Sequence, residues 1–200
     1  MDGVLIDSEP IYMHHVLEFY RRFDIHVPYK EVVKLAGSSH EAGLEMMSAW
    51  WKEDITPSEF EKFYEANSDE EIVYSEILNP YVLYVLKRLK ARGMKQAIVT
   101  MVNECGLKGY FNEIISGHDF PYSKPDPSIY LYTLQKLNVA KERCIVIEDS
   151  TYGILAAKAA GIRVIAKHDV RFGFDQSLAD YLVYDLLEAY HLIMQEGEAA

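Results

Sequence analysis

The chain has 200 residues, half of them hydrophobic, and a formal net charge of −11. That length fits one domain, or one core domain with a modest insertion, and supplies enough apolar residues to bury a real core. The negative field makes nucleic acid and anionic membrane surfaces poor partners, so a phosphate ligand would need local cations.

The first ten residues, Met1 to Pro10, form an acidic loop with no strand ahead of it, and Asp2, Asp7 and Glu9 stand where a secretory signal would be basic. From Ile11 to about Ile77 the pattern is helical, through Ile11, His14, His15, Leu17, Tyr20 and Arg21 and then Glu31 to Leu35. Gly37-Ser38-Ser39 breaks it. Further helices are expected from about His40 to Lys52 and from Pro57 to about Asn67, the latter with Thr56 as N-cap. The aromatic residues Trp50, Trp51, Phe63 and Tyr64 read as the core of this region, and no β pattern occurs in it.

After about Leu78 the chain alternates. Leu78, Val82, Val85, Leu86 and Leu89 make one helical face, with Gly93 placed to end it. Short apolar runs at Ala97–Thr100, Ile114–Ser116, Cys144–Ile147, Arg163–Ala166 and Tyr181–Val183 read as strands. Helices are expected at Pro127–Leu137, capped by Asp126, and at Thr151–Ala160, stopped by Gly161. Strands alternating with helices imply a parallel α/β sheet. Residues 1–10 and 78–200 are therefore expected to form an α/β core, with 11–77 as a helical insertion and a first core strand belonging before Gly3. The two cysteines, Cys105 and Cys144, stand apart from any C-x-x-C or His/Cys cluster, which argues against structural zinc and for reduced thiols. With no run near the roughly 18 apolar residues of a membrane span, a cytoplasmic location is the default expectation.

In open parallel sheets the reactive groups gather at the carboxyl ends of strands. Four polar stretches fall there: Asp2-Gly3, Thr100, Ser123-Lys124-Pro125-Asp126, and Glu148-Asp149-Ser150. Singly, each reads as a turn, a β-branched strand residue, a solvated loop or a helix cap. Together, on one edge, they make a chemical set. The acid pair can hold Mg²⁺ through hard oxygens. Thr100 can donate its hydroxyl to a phosphoryl oxygen, Lys124 can neutralise charge on an attacking carboxylate and on phosphate, and Asp2 can serve as acid and base.

D-G-V-L-I-D-S-E-P, the strand ending in Thr100, S-K-P-D-P, and I-E-D-S-T-Y-G-I-L-A-A-K-A-A-G-I resemble the motifs of the haloacid dehalogenase-like hydrolases. The likeness is nearest to the branch of sugar-phosphate phosphatases and beta-phosphoglucomutase. It implies a Rossmann-like parallel core with an inserted helical cap, and phosphoryl transfer through an aspartyl-phosphate. By position, Asp2 resembles the acid/base aspartate, whose backbone carbonyl also ligates Mg²⁺. Thr100 resembles the phosphate-binding hydroxyl, with Met101 offering its backbone amide beside it, and Lys124 resembles the motif lysine. Glu148 and Asp149 resemble the metal-holding acids, and Gly37, Ser38 and Ser39 the cap loop that reads the substrate.

The family's nucleophile stands two places before Asp2 in a D-x-D pattern, so nucleophile and first core strand are expected upstream of Met1. If the chain begins at Met1, a catalytically dead binding protein is the expectation instead. Between Thr100 and Gly106-Leu107-Lys108-Gly109-Tyr110-Phe111 only Met101 to Cys105 intervene, short for a crossover of about a dozen residues. Beta-phosphoglucomutase has a histidine and an arginine where this chain has Tyr12 and His40, which favours a phosphatase over the alternative phosphomutase. The resemblance thus implies a small phosphorylated metabolite as substrate, Mg²⁺ as cofactor, and a monomer or weak dimer without nucleic-acid or membrane partners.

Overall fold

The computed structural model describes residues 1–68, 73–99 and 106–198. The chain divides into two compact units, one of Ser8–Ile72 and one of Met1–Asp7 with Val73–Ala200.

The first of these is helical. Helix α1 (Glu9–Arg22) starts with Glu9 and Pro10 in its first turn and ends on Arg21 and Arg22, charges that suit the two ends of its dipole. It buries Met13, Val16, Phe19 and Tyr20, a stripe three to four residues apart. The short α2 (Tyr29–Val32) runs into a 3₁₀ turn, and Gly37 at φ +68° redirects the chain. Ser39 Oγ caps α3 (His40–Ala49) by accepting from Ala42 N. That helix ends three residues before the expected Lys52, where Trp51 packs against Phe19, Phe23 and Phe63. In α4 (Pro57–Asn67) Thr56 and Glu59 complete a capping box around Pro57 at the first helical position. Phe19 and Phe60, both fully buried, sit edge to face at the centre of the unit, 6.0 Å between ring centroids.

The second unit is α/β. Its opening residues form a tight turn in which Met1 O accepts from Leu5 N, and Val4, Leu5 and Ile6 are buried. Ile6 forms an antiparallel bridge with Leu78. Leu78, expected as the start of a helix, is instead extended where it pairs with Ile6, and the helix begins only after Pro80. Helix α5 (Val82–Ala91) follows, buries Val82, Val85, Leu86 and Leu89, and is closed by Gly93 at φ +70°. Strand β1 (Ala97–Val99) pairs in parallel with β2 (Glu113–Ile115). Helix α6 (Ser128–Leu137) leads to β3 (Ile145–Glu148), α7 (Thr151–Ala159), β4 (Arg163–Lys167), β5 (Tyr181–Val183) and α8 (Leu186–Glu198).

Strands β3, β4 and β5 form a second parallel sheet in that order. Among the described residues no ladder joins it to β1 and β2. Side chains join them instead: Val4 and Leu5 of the opening turn share an apolar cluster with Ile98 of β1, Ile147 of β3, and α5 and α8. A separate cluster carries α6 and α7 against Ile115, Val164 and Ala166. Alternate residues of β4 thus serve opposite faces, with Val164 and Ala166 on one and Ile165 packed with Val183 and Ala189 on the other. Helices cover both faces, the Rossmann-like arrangement expected. Among the described residues no helix is long and apolar enough to cross a membrane.

Candidate active site

The carboxyl end of β3 is where charge collects. Glu148 ends the strand 7% exposed and Asp149 follows at 8%. Buried acids must find donors, and Glu148 finds five. Its Oε2 accepts from Asp149 N (3.0 Å), Ser150 N (3.2 Å) and Ser150 Oγ (3.1 Å). Its Oε1 accepts from Lys124 Nζ (2.5 Å) and from the Tyr130 hydroxyl (3.1 Å). Burial alone would raise the Glu148 pKa, but the Lys124 ammonium and these hydrogen bonds pull the other way and hold the carboxyl below its ordinary range. Burial, reinforced by the Glu148 charge, pushes the Tyr130 hydroxyl well above its usual value, so it stays a donor.

Lys124 lies 27% exposed in the loop before α6, its ammonium also 5.4 Å from the centre of the Tyr130 ring. One face of that ammonium is thus held by protein while the remainder meets solvent. Tyr130 comes from the first turns of α6, so one helix positions both its own hydroxyl and the loop that carries Lys124.

Two glycines make room. Gly3 adopts φ +65°, and a Cβ there would fall 1.8 Å from Asp149 Oδ2. The Asp149 carboxylate therefore lies directly against the backbone that follows Asp2, a closeness no other residue type allows. In α7, a Cβ on Gly153 would fall 2.0 Å from the Glu148 carboxyl carbon. Ser150 caps the same helix through Gly153 N (3.2 Å), so one hydroxyl serves both cap and carboxylate. Gln176 Nε2 ties the site to the next strand by donating to Asp149 O (2.7 Å) and Lys167 O (2.8 Å).

The structure therefore brings Lys124, Glu148 and Asp149 together beside the Asp2-Gly3 step. Thr100 and Met101 lie outside the described residues. Gly37, Ser38 and Ser39 belong to the helical unit, where the Ser38 hydroxyl donates to Leu35 O (2.8 Å) and Ser39 caps α3. Tyr130, Gly153 and Gln176 escaped the sequence reading, while Ser150 stood in it only as part of the polar stretch after the strand. Gly153 left one visible signal, a glycine in the interior of an expected helix, where it costs stability unless something needs the space.

Among the described residues no three His, Cys, Asp or Glu side chains converge as a cation cage. Magnesium asks for less, since it keeps waters and takes one or two carboxylates with substrate phosphate. Asp149 and the backbone carbonyl of Asp2 supply hard oxygens that fit it. Both oxygens of Glu148 are already engaged by donors, so it stands behind that pair.

A parallel α/β core with acids and a lysine at the carboxyl edge of its strands, joined to a helical insertion, defines a hydrolase of the Rossmann-like class. The chain belongs to the haloacid dehalogenase-like hydrolase family, whose model matches residues 1–167. It is 34% identical over 180 residues to the phosphorylated carbohydrates phosphatase of Thermotoga maritima, covering 82% of this chain and 81% of that one. Fructose-1-phosphate phosphatase YqaB of Escherichia coli is 27% identical over 187 residues, 86% and 93% of the two chains. The crystal structure of a candidate beta-phosphoglucomutase from Thermotoga maritima superposes with a TM-score of 0.76 at 28% identity, covering 98% of this chain and 96% of that one.

Proposed function

We propose that the protein is a Mg²⁺-dependent phosphatase of a small phosphorylated metabolite, a sugar phosphate, working through an aspartyl-phosphate on an aspartate two positions before Asp2, upstream of Met1. The observation that carries this reading is the Lys124 to Glu148 pair at 2.5 Å, set beside Asp149 where it lies against Gly3. The names of the phosphatase relatives support the substrate class.

In this mechanism the nucleophilic carboxylate attacks phosphorus and the ester P–O bond breaks. Asp2, protonated, gives its proton to the leaving alcohol oxygen. Asp2, now ionised, takes a proton from water as that water attacks phosphorus, and the acyl-phosphate P–O bond breaks to return the free carboxylate and inorganic phosphate. Lys124, held by Glu148 and Tyr130, offsets charge on the nucleophile and the phosphoryl oxygens, and Thr100 with the Met101 amide contacts those oxygens. Asp149 and the backbone carbonyl of Asp2 would hold Mg²⁺, with Glu148 behind them, and the ion would supply further neutralisation of phosphoryl charge. Gly37, Ser38 and Ser39 read the rest of the substrate. A phosphomutase is not favoured, because Tyr12 and His40 stand where beta-phosphoglucomutase has a histidine and an arginine.

The test is phosphate release from a panel of sugar phosphates, fructose 1-phosphate included, by a chain carrying the upstream strand and aspartate. Turnover is expected with Mg²⁺ and is lost in EDTA. Lys124→Met should lower kcat by about 10²- to 10³-fold, the usual cost of one charge-stabilising group. A chain beginning at Met1 should release none. Absence of release from every sugar phosphate by the extended chain with Mg²⁺ would overturn the reading.

A further inference from the structure

Where the chain leaves the α/β unit, it is held by more than its own backbone. Asp7 is the last residue of that unit before the helical one. Its amide donates to Ile77 O (2.9 Å), Ile6 bridges Leu78, and Asn79 N donates to Leu5 O (2.8 Å), so the outgoing and returning segments run paired. Asn79 Nδ2 adds bonds to Gly3 O and Val4 O, both 3.0 Å. Onto this pair reaches Arg171 from the loop after β4, 164 positions away in sequence. Its Nη1 and Nη2 grip the two oxygens of Asp7 at 2.8 Å each, a fork-to-fork contact. The other side of the guanidinium is set by Asp169, which accepts from Nε at 3.0 Å and from Nη2 at 2.6 Å. Asp169 is only 5% exposed in its side chain, and Lys167 adds its positive charge nearby. Phe172 lies against the guanidinium, 4.8 Å from its ring centre.

An isolated exposed ion pair contributes little. This one differs, because the arginine is already oriented by a buried carboxylate before it meets Asp7, so most of the ordering entropy is spent within its own loop. We infer that Arg171 is a positioning residue, which pins the Asp7 to Ile77 crossing to the β4 loop and thereby sets where the linkers to the helical unit begin to flex. Its effect on turnover rests on the phosphatase reading. The pinning itself does not.

The experiment measures backbone hydrogen exchange, with steady-state kinetics beside it, on the wild type, Asp7→Asn and Arg171→Lys. Asp7→Asn removes the linker arm and leaves the Arg171 to Asp169 contacts; Arg171→Lys keeps the charge beside Asp169 and loses the fork. In both variants the amides of Ile6 to Ser8 and Ile77 to Asn79 should exchange about tenfold faster, as expected when a charge-assisted contact is lost. Amides of β3 and β4 should keep their rates. In the active chain the KM for a sugar phosphate should rise several-fold with kcat moving less. Unchanged linker exchange would overturn the inference, as would an increase spread evenly over the α/β unit, which marks a general stabilising contact. Because exchange is read without substrate, inactivity of every form would count against the phosphatase reading alone.

Discussion

Asp169 is almost wholly buried and still accepts from Arg171 N (2.9 Å), Nε and Nη2. Burial raises its pKa, but those hydrogen bonds and the charges of Arg171 and Lys167 outweigh it, so the folded-state value is lowered. A lowered carboxyl contributes stability that is complete above the unfolded pKa, near about 3.9, and is lost as pH falls through the folded one. Asp169→Asn should therefore destabilise the α/β unit by about 1–3 kcal/mol at neutral pH, the cost of unpairing a buried charged partner. The gap between variant and wild type should close as pH falls below about 4. Urea midpoints across that range check it, and a gap independent of pH would show that the loss is packing rather than charge. Glu148 and Asp149 were legible because strand-end position is a matter of local pattern, and Lys124 because its S-K-P-D-P run resembles a family motif. Tyr130 and Asp169 were not, because the reason for a polar group in their places is a partner that only the fold brings near.

At the scale of elements, two glycines in helix interiors look alike in sequence and differ in what surrounds them. Gly43 in α3 would place a Cβ 3.4 Å from Ser38 Oγ, a contact the neighbour can accommodate, whereas Gly153 in α7 would drive one to 2.0 Å from a carboxyl group held by five donors. Alanine removes the backbone-entropy cost of glycine in both. Gly43→Ala should thus be neutral or stabilising by up to about 1 kcal/mol. Gly153→Ala should cost about 1–3 kcal/mol through forced repacking, and should displace Glu148 from Lys124. Urea unfolding of the two variants decides it, and equal shifts would mean that Glu148 is not wedged against α7. Elements with periodic apolar faces and explicit stops, such as α4 behind Thr56 or α5 before Gly93, were legible to within a few residues. The bridge at Leu78 was not, since its side chain fits a helical face and only its pairing with Ile6, seventy-odd positions back, makes it extended.

Across the whole molecule, the parallel α/β class and the helical character of the described residues from 8 to 68 follow from the change in hydrophobic period near Leu78. The lack of a ladder between β1 and β3 among the described residues also agrees with the sequence reading, which places the first core strand before Gly3 and so expects β1 and β3 to lack a common neighbour. The two units carry separate cores, and both tryptophans of the chain, Trp50 and Trp51, belong to the helical one. Tryptophan fluorescence therefore reports that unit alone. Phe60 is fully buried there, stacked on Tyr20 and edge to face with Phe19. Phe60→Ala should cost about 3–5 kcal/mol, the transfer term plus the cavity left by a large aromatic. The fluorescence midpoint in urea should fall accordingly, while exchange protection of the β3 and β4 amides changes far less. Coincident loss by both probes would instead mean that the chain unfolds as one cooperative block, with the helical unit's stability shared by the α/β core.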